Sequence, residues 1–124
     1  MKTLFDSSVL IAHLRGESRA TELLTSVETG DRLASALSRT EIEGALRSAE
    51  RAPVARLFSV LTLLPVTDLI AGRAAESLRR FRESHPGLEL VDCLVAATAE
   101  LYGARLATLD VSRFPMLQGR RSHW

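Results

Sequence analysis

Residues 91–110 read VDCLVAATAELYGARLATLD. Apolar residues recur at helical spacing over 91–102, with Leu94, Val95, Thr98 and Leu101 on the inward side. Gly103 interrupts that pattern, and the run at 105–108 predicts a strand. An acid marks each end of the unit: Asp92 in the first turn of the helix and Asp110 just past the strand. A helix that feeds directly into a short buried strand is half of a crossover, the connection that parallel sheets require.

The same alternation extends back to the start of the sequence. Strands are predicted at 2–5, 32–36 and 62–66, with a last short edge strand at 116–117. Helices are predicted at 8–14, 19–28, 39–50, 54–61 and 69–83. The stripe Ile42, Ala45, Leu46 and Ala49 supports the helix over 39–50. Turn signals at Gly16, Gly30, Pro53, Pro65, Pro86-Gly87, Gly103 and Pro115 separate the elements. There is no repeat, low-complexity tract or interdomain linker. The expected fold is a single α/β domain over 1–124, with a mostly parallel sheet of four to five strands flanked by helices on both faces.

Bulk properties narrow the classes. The 124 residues are 46% hydrophobic and 25% charged, as in an ordinary soluble domain, and the 5% aromatic content implies an aliphatic core. Cys93 is the only cysteine, so an internal disulfide is excluded and a reducing cytoplasm fits. The N-terminus reaches Asp6 too soon for a signal peptide, and no apolar run approaches the roughly 20 residues of a membrane span. The net charge of +1 decides nothing about nucleic acid. All but one of the sixteen basic residues are Arg, which fits both GC-rich codon usage and phosphate contact.

In a doubly wound sheet, ligands sit beyond the C-terminal ends of the strands. Four acids are expected at that edge: Asp6 and Asp110 after strands, Glu41 and Asp92 at helix starts. Taken singly, each has a plain structural reading. Asp6, Ser7 or Ser8 can cap the first helix, Ser38–Glu41 has the S-x-x-E spacing of a capping box, Asp92 suits a helix dipole and Asp110 suits a turn. Those readings do not explain why all four share one edge. Two carboxylates 4 Å apart repel by about 4 kcal/mol at an effective dielectric near 20, so a cluster calls for a cation. Oxygen-only donors select a hard ion, Mg²⁺ or Mn²⁺, and phosphodiester hydrolysis is the chemistry best matched to it.

These positions resemble the motifs of the PIN-domain nucleases, in particular the VapC-type toxins of toxin–antitoxin (VapBC) pairs. Leu4-Phe5-Asp6-Ser7-Ser8-Val9-Leu10-Ile11 resembles the family's first motif, and Ser38-Arg39-Thr40-Glu41-Ile42 its second. Val91-Asp92-Cys93-Leu94-Val95-Ala96-Ala97-Thr98-Ala99 is similar to the third, and Gly103–Asp110 followed by Phe114 to the last. The resemblance implies that Asp6, Glu41, Asp92 and Asp110 are catalytic and bind metal, with Ser8 and Thr108 as supporting hydroxyls. It selects Glu41 over Glu43. It further implies an endoribonuclease that inhibits translation by cutting tRNA or rRNA. It also implies a homodimer, and a VapB-type antitoxin that joins it in a hetero-oligomer. Arg15, Arg39, Arg47 and Arg51 are candidates for RNA phosphates, with a solvated helix face as the competing reading.

Other classes fit less well. A phosphoacceptor receiver domain needs a lysine after a late strand, but Lys2 is the only lysine. A haloacid-dehalogenase-like phosphatase needs an acid where Ser8 stands. A catalytically weak PIN-fold module binding RNA or protein would have lost one or more of the acids. His13, His85 and His123 read as surface residues, and Cys93 as a small core residue. Arg113, Arg120 and Arg121 are left between RNA contact and a soluble tail.

Overall fold

A computed structural model of the chain describes residues 1–117; Arg120, Arg121 and His123 lie outside the described residues. The elements run β1 (Thr3–Phe5), α1 (Ser7–Leu14), α2 (Ser18–Thr25), β2 (Arg32–Ser35), α3 (Ala36–Ala45), α4 (Arg51–Ser59), β3 (Thr62–Leu64), α5 (Asp68–Phe81), α6 (Leu90–Leu101) and β4 (Arg105–Ala107). The strands form one parallel sheet in the order β3-β2-β1-β4. The α/β architecture with helices on both faces is as expected, with four strands among the described residues.

The strands are three or four residues long, so their faces are easily read. Neighbouring residues on each strand enter different cores. Phe5, Ala34 and Ala107 pack with Val9, Leu10, Ile42 and Leu57 beneath α1, α3 and α4. Leu4, Leu33, Leu64 and Leu106 pack with Val95, Ala96, Ala99 and Phe114 against α6. A third cluster joins α5 to α6 through Ile70, Ala74, Cys93 and Ala97. A bidentate pair from Arg73 to Glu100 (2.9 and 3.0 Å) clamps the same two helices and holds the Arg73 guanidinium above its ordinary pKa.

Four expectations need correction. The helix predicted over 39–50 instead begins at Ala36, capped by the Ser35 hydroxyl, which accepts from Leu37 N at 3.1 Å. It ends at Ala45, where Leu46 turns extended; a 3-10 turn at Ser48–Glu50 then leads into α4. Of the proposed stripe only Ile42 is buried, because two of its four members are alanines that lose little by facing water. The edge strand expected at 116–117 is a 3-10 turn, Pro115–Leu117, whose Met116 and Leu117 pack on the α6 side of the sheet. Leu101, expected inward, is 41% exposed at the end of α6.

Candidate active site

All strands point the same way, so Phe5, Ser35, Leu64 and Ala107 end at one edge. β1 lies inside the sheet, and Phe5 pairs with Ala107, which brings the residues after these strands together. Asp6 and Thr108 therefore meet across the β1–β4 seam.

Asp6 is 2% exposed and is held from three directions. Its Oδ2 accepts from Thr108 Oγ1 at 2.6 Å, and its Oδ1 accepts from Ser8 Oγ at 2.5 Å and from Val9 N at 3.3 Å. The last bond makes Asp6, and not Ser8, the N-cap of α1. Thr108 Oγ1 accepts from Asp110 N at 3.1 Å, and Ser8 Oγ accepts from Leu109 N at 3.0 Å. The two hydroxyls fix the Asp6 carboxylate and tether the segment that carries Asp110. Asp110 is exposed, and its Oδ1 accepts from Ser112 N at 3.2 Å and from the Ser112 hydroxyl.

Glu41 is exposed and lies in the second turn of α3. Because the helix starts at Ala36, the capping box at Ser38–Glu41 does not form. Glu41 Oε1 instead accepts from Ser7 Oγ at 2.8 Å, and the Ser7 Oγ also lies 2.9 Å from Ser38 Oγ. Ser7, read from the sequence only as a possible helix cap, thus ties Glu41 to the residue next to Asp6. Glu43 is occupied elsewhere: it receives Arg39 at 2.6 and 3.1 Å.

Asp92 occupies the first turn of α6 and is 2% exposed. Arg113 forks onto it, Nε donating to Oδ2 at 3.2 Å and Nη2 to Oδ1. This carboxylate holds the guanidinium above its ordinary pKa, with Asp6 and Glu89 adding to the effect. Arg113 is therefore no tail residue, and its sequence signal was its place three residues after Asp110. A groove of about 390 Å³ runs beside it between Ser84–Leu88 and Ser112–Pro115.

The site gathers oxygen donors alone, which is the chemistry a hard divalent ion selects. Among the described residues, however, no three His, Cys, Asp or Glu side chains converge closely enough to hold a metal ion as they stand. Asp6 and Asp110 share one hydrogen-bond set, while Glu41 is held by Ser7 and Asp92 by Arg113, and the four do not form a closed ligand set.

The arginine candidates separate. Arg15 lines a groove of about 200 Å³ that also exposes Glu41. Arg39 is paired to Glu43 and stacked 4.5 Å from the Phe58 ring centroid. Arg39 and Arg51 border a larger cleft of about 580 Å³. Arg47 is exposed, and its backbone N–H donates to Glu50 at 2.7 Å. Lys2 stands before β1, at the far edge of the sheet, where it cannot serve a receiver-type site. His13 is half-buried, 2.8 Å from the Thr21 hydroxyl, and His85 packs edge-on against Phe81. Neither histidine is bonded to any of the four acids. Cys93 is fully buried, as expected of a core residue.

No helix among the described residues is long and apolar enough to cross a membrane. Residues 3–115 match the PIN domain. Ribonuclease VapC10 of Mycobacterium tuberculosis is 46% identical over 116 residues, covering 93% of this chain and 87% of that protein. Ribonuclease VapC19 of the same organism is 39% identical over 115 residues, covering 91% and 92%. A toxin–antitoxin complex from Klebsiella pneumoniae has the same fold, with a TM-score of 0.82 at 22% identity over 98% of this chain and 97% of that one. With a family match spanning nearly the whole sequence and two relatives well above 30% identity, the chain belongs to the PIN-domain family, among its VapC ribonucleases.

Proposed function

We propose that this protein is the toxin of a toxin–antitoxin pair: a Mg²⁺- or Mn²⁺-dependent endoribonuclease acting in the cytoplasm and inhibiting translation. The observation that carries this reading is the bonded set at the sheet edge, in which buried Asp6 is linked through Thr108 to Asp110 while Ser7 holds Glu41 beside it. Relatives described as ribonucleases support RNA as the substrate, and neighbours that are toxin–antitoxin complexes support an antitoxin partner of the VapB type. A structured RNA such as tRNA or rRNA is the proposed target. Exposed apolar side chains on α5 and α6, among them Leu69, Leu90 and Leu101, leave surface for a second copy.

Asp6, Asp92, Asp110 and Glu41 are the residues that would hold the cation. When bound, a hard divalent ion supplies Lewis-acid chemistry, making water a stronger nucleophile and offsetting charge on the phosphoryl and leaving oxygens. The chain's own contribution is orientation. Ser8 and Thr108 lock Asp6, so its carboxylate needs little reorganisation when charge develops nearby. Ser7 fixes Glu41, which stands exposed to the solvent from which water is drawn. Arg15, which lines the same groove as Glu41, is the arginine we assign to an RNA phosphate.

The test is expression without a partner, comparing wild type with Asp6→Ala and Asp92→Ala. Growth arrest by wild type alone, with RNA cleavage lost in both variants, is the expected outcome. Equal arrest by all three would overturn the catalytic assignment.

A further inference from the structure

Arg113 serves both oxygens of Asp92 at once, the planar fork that matches a carboxylate best. Asp92 is 2% exposed, so this guanidinium is its chief source of compensation in place of water. Asp92 and Asp6 are both buried carboxylates whose charges act on the Arg113 guanidinium, and the 3-10 turn Val111–Arg113 delivers that positive charge from the chain itself. A divalent ion on the same carboxylate would repel the guanidinium and compete for the same lone pairs.

We infer that Arg113 is the resident cation of the metal-free site, and that a divalent ion binds by displacing it from Asp92. This rests on the reading of Asp92 as a metal-binding acid. It also accounts for the open arrangement of the acids: with Asp92 turned to Arg113, the ligand set is not closed. The space for release is present, because Arg113 lines the groove bounded by Ser84, His85, Ser112 and Pro115. Arg113 is in this sense a positioning residue. It holds Asp92 oriented until the cation arrives, and it lowers affinity for that cation.

The experiment is calorimetric titration of the purified protein with Mn²⁺ alone, without RNA, on wild type, Arg113→Ala, Arg113→Lys and Asp92→Asn. Loss of a charge-assisted bidentate contact is expected to tighten Mn²⁺ binding roughly tenfold in Arg113→Ala, with Arg113→Lys between it and wild type. Arg113→Lys retains the charge and guards against a folding defect in the alanine variant. A second readout is the Arg113 Nε–H resonance of the wild type, expected to shift on Mg²⁺ addition and to stay fixed in Asp92→Asn. Unchanged or weaker Mn²⁺ binding in both Arg113 variants, with binding lost in Asp92→Asn, overturns the inference and leaves the metal site standing. Mn²⁺ binding that is the same in wild type and Asp92→Asn overturns the metal-site reading and this inference with it.

Discussion

Thr108 and Asp6, 102 positions apart, are joined by a buried 2.6 Å hydrogen bond from hydroxyl to carboxylate. Thr108→Val keeps the shape and removes the donor, leaving a buried carboxylate oxygen short of a partner. The expected loss is about 1–3 kcal/mol of stability, read by chemical denaturation. RNA cleavage is expected to fall roughly 10–100-fold, as when partners of metal-binding residues are removed. Full activity in a destabilised Thr108→Val would show that the bond serves only the fold.

Glu41 and Glu43 lie two residues apart on α3, yet one is held by Ser7 and the other by Arg39. Glu41→Gln is expected to abolish cleavage and growth arrest while leaving the melting temperature nearly unchanged. Glu43→Gln removes only an exposed i,i+4 pair and is expected to cost about 0.5 kcal/mol or less. If Glu43→Gln were the inactive variant, the assignment of the second acid would be reversed.

Chelation gives an independent check. EDTA is expected to stop RNA cleavage, and Mg²⁺ or Mn²⁺ to restore it. An ion that binds only the folded state raises stability by about 2.7 kcal/mol at a concentration 100 times its Kd. Thermal unfolding with and without Mn²⁺ measures this. Cleavage that persists through chelation would exclude the metal mechanism.

Phe114, next to Arg113, is 2% exposed and packs with Leu4, Leu106 and Val95. Phe114→Ala is expected to destabilise the fold by about 3–5 kcal/mol. Its position makes the turn that carries Arg113 dependent on the core, so metal titration of any surviving folded protein would also change.

Cys93 offers a test through pH. Burial, and secondarily the charge of Asp92, pushes its thiol above the ordinary thiol pKa. The unfolded chain therefore gives up this proton at a lower pH than the folded one. Its contribution to stability is complete below the unfolded thiol's pKa and is lost as pH rises through the window up to the folded value. Between pH 8 and 10, wild type is expected to lose stability more steeply than Cys93→Ala in urea titrations. Parallel slopes would mean that the thiol is not protected.

Much of this site was legible because two periodicities carry it. Short apolar runs fixed the strand ends, and with them Asp6 and Asp110; the spacing of Val95 and Thr98 fixed the helix that carries Asp92. The bounds of α3 were not legible. Its start depends on which serine caps it, and Ser35 and Ser38 are equally suitable by type. Its end was obscured by alanines, which suit a helix on either face. Arg113 was named only as an RNA contact or a tail residue, and its pairing with Asp92 was not legible for a different reason: a lone charge has no period, and its partner lies 21 residues earlier, on another element.

The alternation of Leu4 with Phe5, Leu33 with Ala34 and Leu106 with Ala107 has a consequence for assembly errors. A slip of one residue between β1 and β4 would exchange Leu106 and Ala107 between the two cores, placing a large side chain where a small one fits and a small one where a large one fits. The same slip would carry Thr108 out of reach of Asp6. Misaligned chains would be rejected by the interior before they could display a malformed edge, so the fidelity of the polar edge is enforced by oil on either side of three-residue strands.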